Sequence, residues 1–171
     1  MTLEEALRTA IDFEKKVHRV YQTAASEARE AVANKVFATL AREEQGHIAY
    51  LESRLGEWQK SGKVTPVTLE TAIPSKAKIQ AGMKKLRARL APKPAGTTPE
   101  LGFLMQALQA EHETAAFYER MVAELTAEGQ AMFARFVEIE QGHATIVQAE
   151  IDSVTGLGYW FDVKEFDLEL A

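Results

Sequence analysis

The chain has 171 residues, 46% of them apolar and 26% charged, which is one domain's length with enough apolar content for a continuous core. Its net charge of −5 makes it a poor candidate for nucleic-acid binding, and with no cysteine it has no disulfide, thiolate metal site or iron–sulfur cluster. No stretch nears the roughly 20 apolar residues that span a bilayer, and Met1-Thr2-Leu3-Glu4-Glu5 is acidic where a secretory signal is basic, so a cytoplasmic protein with no membrane partner is expected.

Apolar residues recurring at alternating steps of three and four mark the helices. Thr2 is a candidate N-cap, followed by a seam of Leu3, Leu7, Ile11, Glu14, His18, Tyr21 and Ala25. A second helix is expected to begin between Ser26 and Glu30, with the seam Ala33, Phe37, Leu40, Glu44, His47, Leu51, Leu55 and Trp58. Gly62, Pro66 and Pro74 then break the pattern. A shorter amphipathic helix with Ile79, Met83, Leu86 and Leu90 on one face is expected next, ended by Pro92, Pro94 and Gly96. Residues 60–96 carry nine Lys or Arg against one acid, Glu70. That basic run reads as the wet side of the short helix, or as a docking face for an acidic electron carrier.

Thr98-Pro99-Glu100 is a helix start: a capping hydroxyl, proline at the first helical position, then an acid. The third seam is Leu101, Leu104, Leu108, Glu111, Ala115, Tyr118, Val122 and Leu125, and Gly129 marks the expected turn. The fourth is Phe133, Phe136, Glu140, His143, Val147, Ile151 or Glu150, and Val154. A tail with Gly156, Gly158, Tyr159, Trp160 and Phe161 follows, read as packing or dimer contact, with a short helix expected after Asp162. Two short connections and one long one imply two helical hairpins joined by a crossover. The predicted architecture is an all-α four-helix bundle over residues 1–171 as a single domain, with a short helix inside the crossover.

The two hairpins are copies of one pattern. Glu14 precedes Tyr21, and Glu111 precedes Tyr118, by two helical turns on one face. Glu44-Gln45-Gly46-His47 recurs as Glu140-Gln141-Gly142-His143. All four glutamates fall on seams that the pattern reserves for core side chains. A lone buried carboxylate costs several kcal/mol, and four in one core also repel one another. Lys and Arg are absent from the four seams, so the simplest compensation is two divalent ions against four carboxylates with both histidines neutral. In Glu-x-x-His the two side chains lie one turn apart on one face, so both can ligate.

Ferritin-like bundles hold two iron or manganese ions with a glutamate from each of two helices and a Glu-x-x-His from each of the others, on hairpins joined by one long crossover. The chain resembles this superfamily, and within it the rubrerythrins. Leu40 through His47 resembles their second-helix motif, Glu111 through Tyr118 resembles their third, and the likeness runs over residues 3–154. It implies a di-iron site in which Glu44 and Glu140 bridge the metals, while Glu14 with His47 and Glu111 with His143 complete the coordination. It also implies a homodimer and an oxidoreductase whose Fe(II) centre reacts with hydrogen peroxide or dioxygen. Two departures stand out. Rubrerythrins carry a further carboxylate on the third helix, whereas here Thr114 and Ala115 occupy the turn after Glu111 and Leu108 the turn before, and the rubredoxin-like module with its cysteine pairs is missing. Electrons must then come from a separate donor protein.

Tyr21 and Tyr118 are placed to hydrogen-bond ligand carboxylates across the bundle or to serve as core aromatics. His18, one turn from Glu14, is an extra ligand, a proton relay or a core histidine, whereas His112, Glu43 and Glu113 should face away. Two other functions stay open: a ferroxidase or iron-handling protein, and a non-catalytic metal-binding bundle. Carboxylate and imidazole donors also suit manganese or zinc.

Overall fold

The computed structural model describes residues 1–65, 67–91 and 98–166, so the expected breaks at Pro66, Pro92, Pro94 and Gly96 lie outside the described residues. Five α-helices account for most of the chain: α1 Leu3–Glu27, α2 Ala31–Ser61, α3 Lys76–Arg89, α4 Pro99–Glu124 and α5 Ala127–Asp152. A π-helical turn, Ser153–Leu157, and a 3₁₀ turn, Val163–Phe166, follow α5. No strand occurs among the described residues, and no helix there is long and apolar enough to cross a membrane. α1 packs chiefly on α2 and α4 on α5, the two hairpins meet through α1 and α4, and α3 of the crossover lies against α5. The chain is an all-α, ferritin-like bundle.

Local chemistry sets the helix ends, partly in ways the sequence pattern missed. Thr2 caps α1 in a capping box: the Glu5 N–H donates to Thr2 Oγ1 at 3.2 Å, and the Thr2 N–H donates to Glu5 Oε2 at 2.8 Å. Thr98 occupies the N-cap position of α4, but its hydroxyl makes no capping bond. Glu100 instead turns to α2 and accepts the N–H groups of Arg29 at 2.8 Å and Glu30 at 3.4 Å, so an acid from α4 satisfies donors at the start of α2. Burial opposes its ionisation, but these N–H groups outweigh burial and hold Glu100 below the usual carboxylate range. Gly129 is not the turn between α4 and α5; it lies in the first turn of α5, and a Cβ there would press on the side chains of Leu125 and Leu3 at 3.2 Å each. Its small size serves packing.

The buried faces are also rotated slightly from the expected seams. On α1 the inward positions are Val17 and Ala24, which leaves His18 half-buried beside the core. His18 is therefore not a core histidine. On α5 the fully buried member of the pair Glu150 and Ile151 is the acid.

The core is divided in two. One apolar cluster holds Val17, Tyr21, Phe37, Leu40, Leu104, Ala107, Ile146 and Val154; the other holds Leu7, Ile11, Leu51, Phe117, Tyr118, Phe133 and Phe136. On each of the four long helices, the glutamates singled out above fall in sequence between the residues of one cluster and those of the other. A polar layer thus crosses the middle of the bundle.

At α3, Gly82 lies so close to the 3₁₀ turn that a Cβ would overlap the Phe166 carbonyl. Gly82→Val is expected to lift Val163–Phe166 from α3 and lower stability by about 1–3 kcal/mol, read by urea unfolding.

Candidate metal centre

Four helices deliver six side chains to the polar layer: Glu14 from α1, Glu44 and His47 from α2, Glu111 from α4, and Glu140 and His143 from α5. None is more than 1% exposed. His47 Nδ1 lies 3.2 Å from Glu14 Oε2, 3.3 Å from Glu44 Oε2 and 3.4 Å from Glu140 Oε1. His143 Nδ1 lies 2.8 Å from Glu44 Oε1 and 3.7 Å from both Glu111 Oε1 and Glu140 Oε2. The imidazole rings stack with centroids 5.3 Å apart and planes 11° from parallel. Ligating atoms of Glu44, His47, Glu140 and His143 all fall within 4.8 Å of one another. Glu44 and Glu140 approach both histidines, whereas Glu14 sits beside His47 and Glu111 beside His143.

These residues fit bound metal. Both oxygens of Glu44 and of Glu140, Glu111 Oε2, His47 Nε2 and both ring nitrogens of His143 are buried without a hydrogen-bond partner. Native interiors hold few such atoms, and here they converge on one point. Among the described residues, the ion-pair partners of the four carboxylates are the two histidines.

The protein's own charges show the same need. Burial, then the neighbouring Glu44, pushes Glu14 well above the usual carboxyl range. Burial also raises Glu140, helped by Glu14, Glu44 and Glu111, and it raises Glu111, helped by Glu44. Glu44 behaves oppositely: burial disfavours its charge, but His47, the neighbouring Glu14 carboxyl and His143 draw it well below that range. His47 is raised well above the usual imidazole value because Glu44 and Glu14 outweigh burial. Without cations, protons on most of the carboxyls must carry the compensation.

Two tyrosines link the hairpins. The Tyr21 hydroxyl on α1 donates to Glu111 Oε1 on α4, and the Tyr118 hydroxyl on α4 donates to Glu14 Oε1 on α1. Each repeat thus holds the other's glutamate. Burial, and then the negative charge of Glu111 or Glu14, pushes both phenols well above their ordinary range, so each keeps its proton and remains a donor. Tyr118→Phe should leave Glu14 one bond short. The expected results are about 1–3 kcal/mol less stability for the chelator-treated protein and roughly 10–100-fold weaker metal binding, measured by chelator competition.

Other candidates lie outside the cluster. Glu43 accepts bonds from Thr71 Oγ1 at 2.6 Å and the Ala72 N–H at 3.1 Å, pinning the crossover to α2. Glu113 pairs with Lys16 at 2.5 Å on the surface, and His112 is exposed. His18 makes none of the close contacts that join the two histidines to the carboxylates. Thr114 bonds back to Ala110 O at 2.9 Å within its own helix, so the turn after Glu111 presents no further carboxylate or free hydroxyl. The repeated glycines differ in surroundings: a Cβ at Gly142 would meet Pro74 O of the crossover at 3.3 Å, whereas Gly46 faces open space.

Comparison with known proteins adds one finding. A family model described as Rubrerythrin matches residues 5–151, which is most of the chain and includes all six cluster residues. No curated protein and no solved structure gives a significant match.

Proposed function

The chain belongs to the rubrerythrin family, and from that premise we propose that it is a di-iron carboxylate oxidoreductase whose reduced centre is oxidised by hydrogen peroxide or dioxygen. The observation that carries this reading is the convergence of buried, unpartnered carboxylate and imidazole atoms in the middle of the bundle. Two iron ions held there would balance four carboxylates and supply a two-electron store with positions open to an oxidant.

In this reading Glu44 and Glu140, each near both histidines, would help to hold both ions. Glu14 with His47 and Glu111 with His143 complete the separate coordination spheres. Tyr118 and Tyr21 fix the orientation of Glu14 and Glu111, which keeps the carboxylates placed while the charge at the centre changes. The apolar clusters on either side keep bulk water from the carboxylates and so strengthen their hold on cations. Electrons for re-reduction come from a separate donor protein, for which the lysines and arginines of α3 offer a docking face, and the chain works as a homodimer in the cytoplasm.

Stopped-flow mixing of Fe(II)-loaded protein with hydrogen peroxide, and separately with dioxygen, tests the proposal. Oxidation much faster than that of free Fe(II) by at least one oxidant is the expected result. Rates equal to free iron with both would remove it. Because the turn after Glu111 brings no further carboxylate, both oxidants belong in the test.

A further inference from the structure

The segment after α5 is packed over a buried acid that the metal centre does not use. Glu150 is 0% exposed and lies about two turns beyond His143 on α5. Its Oε2 accepts one long bond, 3.4 Å, from the Phe161 N–H, and its Oε1 has no partner. The charged groups acting on it, Glu165 and Asp162, are acids of the same segment. On the α2 side the cation is Lys35, and it is bonded to Asp162. From α3, Met83 meets this end of α5, its sulfur 3.6 Å from Ser153 Oγ. An ionised Glu150 would therefore have a single weak donor and two like charges for company, a placement tolerable only for the neutral acid.

The same segment covers the core behind Glu111. Trp160 packs edge-on against Phe37 at 5.9 Å, and Phe37 packs against Tyr21 at 6.5 Å, the tyrosine that donates to Glu111. Phe161 meets Phe166 at 5.8 Å, and Phe166 is seated at Gly82 of α3. The polar groups under this cover are incompletely satisfied: Trp160 Nε1 is buried without a partner, as is Glu150 Oε1, and the helix widens into a π turn where the segment begins.

We propose that residues 153–166 form a plug over the Tyr21 end of the core, held shut by the neutral acid of Glu150 and released when that proton is lost. Opening would uncover Phe37 and Tyr21, and with them the Glu111 side of the centre. The device does not depend on which metal or oxidant the centre uses.

The direction follows from proton counting. Burial pushes the Glu150 carboxyl well above its ordinary 4.5, with Glu165 and Asp162 adding to the rise and the Phe161 N–H opposing it. The shut form thus binds one more proton than the open form at pH values above 4.5 and below the raised value. Across that window the opening constant rises about tenfold per pH unit. Asp162 does not share the window: burial opposes its charge, but Lys35 and the Lys164 N–H hold it below its ordinary range.

Hydrogen exchange of the peptide spanning 153–166 in the metal-loaded protein, between pH 5 and 8 and corrected for intrinsic rates, provides the test. In the wild type, protection should fall by up to about tenfold per pH unit, while amides in the middle of α1 and α2 keep theirs. Glu150→Gln should flatten the slope. Glu150→Leu, of similar volume and without a titrating group, should do the same if the glutamine variant folds poorly. Trp160 fluorescence in a Trp58→Phe background should report the same transition. A flat wild-type profile, or an equal slope in either variant, would overturn the proposal.

Discussion

Glu44→Gln is expected to cost more metal affinity than any other single substitution in the cluster. Glu44 lies close to both histidines, at 3.3 Å from His47 Nδ1 and 2.8 Å from His143 Nδ1, whereas Glu14 is near His47 alone. Both its oxygens are without hydrogen-bond partners, and its charge helps to raise Glu14, Glu111 and Glu140. Glutamine keeps the shape but loses the charge and offers one oxygen where a bridging carboxylate needs two. Losses from altering outer hydrogen-bond partners are roughly 10–100-fold, and removing a shared ligand should exceed them. Elemental analysis after gel filtration and competition with a coloured chelator measure the effect, with far-UV circular dichroism to check the fold. Metal content and affinity equal to wild type would show that Glu44 does not ligate, and the bridging role proposed for it would fall.

Protein stripped by chelator should lose stability as pH rises from about 5 to 8, and metal should reverse that trend. Glu14, Glu111 and Glu140 are raised above their ordinary 4.5, by burial first and then by neighbouring carboxylates: Glu44 for Glu14 and Glu111, and Glu14, Glu44 and Glu111 for Glu140. His47 is raised above 6.5 despite burial, because Glu44 and Glu14 hold its charge. In this window the folded chain binds more protons than the unfolded one, so stability falls with increasing pH, by up to about 1.36 kcal/mol per pH unit for each proton retained. Stability from the raised carboxyls is fully present below 4.5 and disappears as pH passes through their folded values; that from His47 is fully present below 6.5. Glu44, drawn low, has the opposite sign, but its change lies below 4.5 and outside the experiment. Bound cations displace those protons, and their binding strengthens with pH. Urea unfolding at pH 5, 6, 7 and 8, with and without Fe(II) under anaerobic conditions, should give diverging lines. Parallel lines would mean that the cluster carries no proton-for-metal exchange.

The two experiments address separate parts of one physical problem. Glu44→Gln asks whether a particular carboxylate shares the ions. The pH series asks whether the buried charges require ions at all, and it does not depend on oxidant, donor or reaction rate. A chain that passed the second and failed the first would still hold metal, with its ligands distributed differently from the proposal.

The helices and the polar layer were legible in the residues because both follow from local geometry. The direction of a side chain is set by its position along the helix, so glutamates at seam positions must point where apolar residues point. The repeat of Glu-Gln-Gly-His made that visible twice, and the capping box at Thr2 and Glu5 is equally local. Seam reading has a resolution of about one position, and this is where it slipped. Val17 took the inward place expected of His18, and the choice between Glu150 and Ile151 stayed open until the helix was packed. Gly129 looked like a turn because glycine's freedom is a local property, while its actual use is the space it leaves for Leu3 and Leu125.

What the residues determined alone was the periodicity of four long helices, their duplication, and the presence of four acids and two histidines on the buried faces. Only the packed bundle decided that Tyr21 serves Glu111 and Tyr118 serves Glu14, that Glu100 of α4 closes the start of α2, and that Glu150 lies beneath the returning tail. The reason is range. Side-chain direction along a helix is fixed within a few residues, but these partners are 90, 104, 71 and 11 residues apart. Such pairings exist only once the hairpins have docked and the chain has turned back on itself.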